Sequence, residues 1–174
     1  VLNVLSSPIR RLILDSPFLV TRQPAELVFE VNQGGWSAGA PAGDGRYFSP
    51  YGNPRLEDGP DGEHLPARLA TETASFLADH RDDQFLAWLS FYSVQSPLVA
   101  REDIDDKYDS RATEPDAFRS EHARRDRRVQ NHAVYAAMVD AMDQAVGTVL
   151  QSLDSLGLAD NTIVVFISDN GGLS

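Results

Sequence analysis

The sequence has 174 residues, a length that suits one domain with a hydrophobic core. Its hydrophobic content of 42% and charged content of 24% are ordinary for a globular protein. The net charge of −11 argues against nucleic acid and anionic membrane surfaces as partners, and the absence of cysteine excludes disulfides and thiolate chemistry. No stretch has the length of a transmembrane segment, and the first residues lack the pattern of a signal peptide, so the compartment stays open.

The first 62 residues give few regular signals. Residues 1–30 alternate short apolar runs with Pro and Arg, and they predict no definite element. Gly and Pro dominate residues 31–62, where regular structure is not expected. Aromatic residues in this stretch favour an ordered loop, which either lines a functional site or only packs on the scaffold. These aromatic residues are Trp36, Tyr47, Phe48 and Tyr51.

A helix and a strand are predicted next. Pro66 suits the first turn of a helix, and apolar residues follow it at helical spacing as far as Leu77. Residues 85–92 are short, apolar and aromatic, which predicts a strand buried on both faces, as in a parallel sheet.

A charged stretch over residues 98–128 predicts a short helix and exposed loops, as in a solvated insertion. Its arginine cluster could bind an anion, but a solvated helical face is the favoured interpretation. The cluster consists of Arg124, Arg125, Arg127 and Arg128.

The last third predicts a long helix and a second buried strand. Apolar residues recur every three or four positions over residues 131–156. Gly157 then occupies the position of a left-handed cap, with Leu158 as the apolar contact of that cap. Residues 162–167 are again apolar, so the second half of the chain is expected to form a βαβ unit with parallel strands.

Polar residues follow both predicted strands. Ligands of open α/β sheets bind beyond the carboxyl ends of the strands, where Asp169 and Asn170 are expected. Their oxygens suit Ca²⁺ or Mg²⁺, although Asp-Asn-Gly is also ordinary turn chemistry. Gln95 follows the other strand, either as a hydrogen-bond partner for an anion or as a polar loop residue.

From Gly34 onward the sequence resembles the formylglycine-dependent sulfatases of the alkaline-phosphatase-like superfamily. The matching segments are "GGWSAGAP", "YFSPYGNPRLEDGP", "RLATETASFL", "FLAWLSFYSVQSP" and the helix-turn-strand that ends in "SDNGG". The resemblance implies an α/β fold with a mostly parallel sheet flanked by helices, of which this chain is an incomplete, central part. We therefore expect a poorly matching segment over residues 1–30 and a partial catalytic domain over residues 31–174.

The resemblance also implies an activity. Such enzymes hydrolyse sulfate esters with a formylglycine nucleophile and a Ca²⁺ ion, here in preference to Mg²⁺. Asp169 and Asn170 match two of the metal ligands, and Gln95 stands where the family has a sulfate-contacting His. The implied substrate is a sulfated small molecule or a sulfated polysaccharide. Family members are often periplasmic or secreted.

Several family features are missing. The adjacent acids and the Lys-Trp-His stretch are absent, and the formal Ser-x-Pro-x-Arg match in "SSPIR" lies too close to the "GGW" loop for Ser6 to be the nucleophile. The chain alone is therefore expected to be inactive and to bind Ca²⁺ weakly, unless Asp44 or Asp58 completes a site. The alternatives are a phosphate-ester or phosphonate hydrolase of the same superfamily and a degenerate, non-catalytic chain.

Overall fold

A computed structural model describes residues 10–14, 30–41, 47–109, 118–121, 124–127, 129, 131–169 and 171. In chain order the elements are β1 (Arg10–Leu14), β2 (Val31–Gln33), α1 (Leu65–Asp79), β3 (Phe85–Leu89), α2 (Glu102–Asp109), β4 (Phe118–Glu121), β5 (Arg124–Arg127) and α3 (Ala133–Ser155). A 3₁₀ turn over Ala159–Asn161 follows α3.

Three of the strands form a small parallel sheet with the order β2-β1-β3. The central strand β1 pairs with β3 along its whole length, from Arg10 opposite Phe85 to Leu14 opposite Leu89. Helix α1 lies in the connection between β2 and β3. The strand β1 falls in the segment for which the sequence predicted no element, because both of its partners are distant along the chain.

The two long helices agree with the sequence prediction and pack against each other. Helix α1 buries one stripe of side chains, which consists of Leu65, Pro66, Leu69, Ala70, Thr73, Phe76 and Leu77. Helix α3 buries three alanines, one methionine and one leucine, namely Ala137, Met138, Ala141, Ala145 and Leu153. The small residues allow the helix axes to approach closely, and helix α2 packs on the same helix.

The predicted cap of α3 is confirmed. Gly157 has a φ angle of +70°, the left-handed conformation that costs a glycine little. The backbone N–H of Leu158 donates to the carbonyl oxygen of Leu153 at 2.8 Å, and that of Gly157 donates to Asp154 at 3.0 Å. These two bonds are those of a Schellman motif, which satisfies carbonyls left free at the end of a helix.

The second buried strand that the sequence predicts does not form among the described residues. Residues 162–167 form neither helix nor strand, and side chains from Ile163 to Ile167 are 56–91% exposed. A strand exists only where a neighbour completes its hydrogen bonds, and this run pairs with none of the described strands. The predicted βαβ unit over the second half is therefore absent from the described residues.

Two further expectations need correction. Strand β3 is not buried on both faces, because Leu86 and Trp88 are each 47% exposed on the face that no described element covers. Arg124, Arg125 and Arg127 lie on strand β5 of an antiparallel ribbon and not on a helical face, since β4 pairs with them residue by residue. Arg128 lies outside the described residues. The predicted short helix in this stretch is α2.

Candidate functional site

The loop that follows β3 is held in place by two buried tyrosines. The hydroxyl of Tyr47 donates to the backbone carbonyl of Gln95 at 3.3 Å, and that of Tyr92 donates to the carbonyl of Ala38 at 2.9 Å. Both rings belong to the main hydrophobic cluster. The backbone of the loop is therefore fixed, whereas the side chain of Gln95 is exposed and available to a ligand.

A glycine pair forms the turn directly after β2. Gly34 has a φ angle of +86°, its N–H donates to the carbonyl of Arg55 at 2.9 Å, and its own carbonyl accepts from Asn53 at 2.7 Å. A Cβ on Gly35 would lie 2.7 Å from the Asn32 side-chain oxygen. Because β2 and β3 run in the same direction, this turn and the Gln95 loop leave the same edge of the sheet.

The loop between β2 and α1 is ordered by a polar network. The hydroxyl of buried Tyr51 donates to a Glu63 carboxylate oxygen at 2.8 Å, and Arg68 contacts both Glu63 at 3.4 Å and Glu72 at 2.7 Å. Burial, and then the bond to the Glu63 carboxylate, raise the pKa of Tyr51, so the hydroxyl remains a donor. The prediction of an ordered aromatic loop is confirmed here.

Asp58 has a structural contact in the same loop. One of its carboxylate oxygens accepts the backbone N–H of Tyr51 at 2.7 Å. Asp44, the other acid considered for a cation, lies outside the described residues. The structure thus gives Asp58 a role in shaping the loop.

His64 is a buried titratable residue that the sequence did not single out. It is 6% exposed, and its ring packs against those of Tyr47 and Phe48, at centroid distances of 6.2 and 5.1 Å. Neither ring nitrogen has a hydrogen-bond partner among the described residues. Burial, with a smaller contribution from the Arg101 guanidinium, lowers the pKa of His64 to about 4, so the ring is neutral at pH 7.

The described residues include only one of the two predicted metal ligands, so the predicted pair stays a prediction. Asp169 is exposed at the end of the irregular segment after α3, and Asn170 lies outside the described residues, as does Ser6. Nowhere in the described part of the chain do three or more His, Asp or Glu side chains group so that they could hold a metal. These residues alone do not complete a Ca²⁺ site, which requires six to eight oxygens.

The comparison that decides the family is a match to the sequence model described as Sulfatase, which covers residues 24–174. The chain belongs to the sulfatase family. A sulfatase of Formosa agariphila is 32% identical over 130 residues, which cover 69% of this chain and 21% of that protein. The steryl-sulfatase of Rattus norvegicus is 35% identical over 111 residues, 64% of this chain and 15% of that protein.

The sulfatase chain also resembles further proteins. An ulvan-active sulfatase of Formosa agariphila is 28% identical over 116 residues, covering 63% of this chain and 22% of that protein. The crystal structure of Ps i-CgsB in complex with k-i-k-neocarrahexaose superposes with a TM-score of 0.57 at 16% identity, over 89% of this chain and 36% of that one. The chain thus has the fold of part of that structure and spans 15–22% of the length of these curated relatives.

The structural roles of two residues in this sulfatase chain were not predicted from the sequence. Tyr47 was noted only as an aromatic residue of the loop, although it fixes the backbone of Gln95. His64 precedes a Leu-Pro pair at a helix start, where a residue with extended backbone is ordinary, so its burial could not be foreseen. No helix in the described ranges is long and apolar enough to cross a membrane.

Proposed function

We propose that the protein carrying this chain hydrolyses sulfate esters. The observation that carries the proposal is the family match over residues 24–174. Within it, the chain contributes the edge of a parallel sheet at which the Gly34 turn and the exposed Gln95 emerge together. A sulfate group is an acceptor of hydrogen bonds, and an exposed amide on a fixed backbone is a suitable donor.

Gln95 would bind one sulfate oxygen without taking part in proton transfer. A neutral amide donates hydrogen bonds at every pH, whereas a histidine could also donate a proton to the leaving group. We expect Gln95→Ala to lower kcat/KM by about tenfold, the equivalent of one hydrogen bond to a charged group. We expect Gln95→His to raise kcat and to introduce a pH dependence near the pKa of histidine, measured with an aryl sulfate.

Asp169 and Asn170 would supply two oxygen ligands to a Ca²⁺ ion, together with ligands that the described residues do not include. The ion would provide positive charge opposite the sulfate oxygens. Carboxylate and amide oxygens are the hard donors that Ca²⁺ prefers. A formylglycine nucleophile is proposed by family resemblance alone, and no step is assigned to a residue of this chain.

The substrate class that we favour is a sulfated carbohydrate. An ulvan-active relative supports it, whereas the steryl-sulfatase relative favours a small sulfated molecule. The net charge of −11 means that a polyanion needs a local cationic surface in order to bind. A sulfated carbohydrate therefore requires such a cationic surface, whereas a small sulfate ester such as a steryl sulfate does not.

The test measures turnover by the natural protein that carries this chain, on an aryl sulfate and on the matched aryl phosphate. We expect hydrolysis of the sulfate in preference to the phosphate. Asp169→Ala should weaken Ca²⁺ binding, measured by calorimetry, by more than the roughly 10–100-fold loss caused by an outer-shell change. Asp160→Ala removes an exposed acid from the nearby 3₁₀ turn and is the matched control. A preference for phosphate, or the absence of both activities, contradicts the proposal.

A further inference from the structure

The exposed side chain of Gln95 lies on a short tip between two packed residues. Residues 95–97 are exposed, whereas Val94 before them and Leu98 after them pack against the main hydrophobic cluster. The hydroxyl of Tyr47 reaches into this tip and donates to the backbone carbonyl of Gln95 at 3.3 Å. The tip is therefore tied to the core at the same residue whose side chain is free to meet a ligand.

Tyr47 is itself held by its surroundings, so it provides a fixed point for the tip. The residue is 0% exposed, and its backbone carbonyl accepts the N–H of Leu65, the first residue of α1, at 2.7 Å. A second anchor lies at the base of the loop, where the hydroxyl of Tyr92 donates to the carbonyl of Ala38 at 2.9 Å. The backbone of Gln95 is thus connected to α1 through Tyr47 and to the loop after β2 through Tyr92.

We propose that Tyr47 is a positioning residue for the sulfate-binding amide of Gln95. Its hydroxyl restricts the backbone from which the Gln95 side chain extends, so less conformational freedom is lost when the amide binds an anion. Tyr47 acts through Gln95 and not on the substrate, since its ring is buried and its hydroxyl donates to the Gln95 carbonyl. The inference rests on the proposed function and deepens it, because it names the residue that holds the amide proposed to bind sulfate.

Tyr51 provides a matched control in the same loop. It is 1% exposed, it belongs to the same hydrophobic cluster, and its hydroxyl donates to a Glu63 carboxylate oxygen at 2.8 Å. Tyr47→Phe and Tyr51→Phe thus each remove one hydroxyl from a buried ring in the connection between β2 and α1. They differ in the group that is released, which is the Gln95 backbone in the first variant and the Glu63 carboxylate in the second.

The experiment is a double-mutant cycle in the natural protein that carries this chain. Tyr47→Phe and Tyr51→Phe are each made with Gln95 present and in combination with Gln95→Ala. The values of kcat and KM are measured with an aryl sulfate, and the Kd of inorganic sulfate, the product of hydrolysis, is measured by calorimetry. Circular dichroism and thermal unfolding check that every variant is folded at the assay temperature.

We expect Tyr47→Phe to lower kcat/KM by about three- to fivefold, mainly through a higher KM, and to raise the Kd of sulfate by a similar factor. The loss should stay below the roughly tenfold loss in Gln95→Ala, because Tyr47 acts through Gln95. In the Gln95→Ala background, Tyr47→Phe should change neither value by more than about 1.5-fold. Tyr51→Phe should change both values by less than about twofold in either background.

An equal loss from Tyr47→Phe in both backgrounds would overturn the proposal, since the hydroxyl would then support the fold and not Gln95. The same conclusion follows if Tyr51→Phe causes an equal loss, if Tyr47→Phe has no effect, or if Tyr47→Phe unfolds the protein. A failure of the sulfatase assignment is distinguishable, because it removes aryl sulfate turnover from the unmodified protein while the sulfate-binding cycle still tests Tyr47. An unmodified protein that binds no sulfate would also overturn the proposal.

Discussion

Buried polar side chains in this chain differ in whether they find a hydrogen-bond partner. Ser49 donates to the carbonyl of Gly59 at 2.7 Å, and Thr73 donates to that of Leu69 at 2.8 Å. His64 is equally buried, yet both of its ring nitrogens lack a partner within the described ranges. A neutral ring tolerates this position better than a charged one, because burial penalises the charged form far more.

The stability of the chain should therefore depend on pH through His64. The folded-state pKa of about 4 lies below the ordinary value of 6.5, so the unfolded chain binds the proton first as the pH falls. The stability that the neutral His64 ring contributes is fully present above pH 6.5 and is lost as the pH falls from 6.5 to about 4. The loss should be on the order of 3 kcal/mol in the free energy of unfolding, measured by urea denaturation across this range.

Substitution isolates the contribution of this ring. His64→Phe keeps an aromatic ring beside Tyr47 and Phe48 and should flatten the profile between pH 6.5 and 4. The charged groups that act on the ring are Arg101, which lowers its pKa, and Asp103, which raises it. His80→Gln is the control, since His80 pairs with Asp83 near the surface. An unchanged slope in His64→Phe would refute this explanation.

At the scale of elements, local signals predicted the helices, and tertiary pairing decided the strands. The helical periodicity of α1 and α3 and the Gly157 cap depend on residues that are close in the sequence, so the sequence alone predicted these elements. Strand β1 exists because two distant strands flank it, and its short, Arg-containing sequence gives no local pattern. The apolar run at 162–167 shows the converse case, in which strand-forming residues lack a described neighbour.

The candidate site likewise has some features that local sequence predicts and others that depend on distant contacts. The sequence predicted Gln95 beyond the carboxyl end of a strand, and β3 confirms that strand. It could not predict that Tyr47 fixes the Gln95 backbone, because the two residues are 48 positions apart. Asp169 and Asn170 as metal ligands stay predictions, since their placement depended on the strand that the described residues do not form.

Substitution by alanine should change stability in opposite directions at two glycines, one inside α3 and one just after it. A Cβ would meet nothing within 4 Å at either Gly147 or Gly157, so packing does not distinguish them. Gly147 lies inside α3, where alanine has the better helix propensity, and Gly147→Ala should stabilise the chain by about 0.5–1 kcal/mol. Gly157→Ala should destabilise it by about 1–2 kcal/mol, because alanine is strained at a φ angle of +70°. Thermal unfolding measures the shift in Tm of each variant. Shifts of the same sign in both would contradict a left-handed cap at Gly157.

At the scale of the whole molecule, the described residues leave two apolar surfaces exposed. One is the face of β3 with Leu86 and Trp88, and the other is the run from Ile163 to Ile167. Large exposed apolar patches mark surfaces that another element normally covers. The chain spans 21% and 15% of the length of the two sulfatases first named above. In a complete parallel sheet we expect residues 162–167 to be a buried strand.

One pair of substitutions should therefore have opposite effects in two contexts. In the 174-residue chain, Val165→Lys with Ile167→Lys places charges on side chains that are 72% and 71% exposed, and it should reduce self-association and dye binding. In the natural protein the same pair should destabilise the fold by several kcal/mol, because it would bury two unpaired charges. Light scattering tests the first effect and thermal unfolding tests the second. Leu150→Lys, on the exposed side of α3, is the control and should change neither. A natural protein that tolerates both lysines would show that this run stays on the surface, and the expected sheet would then have to be built without it.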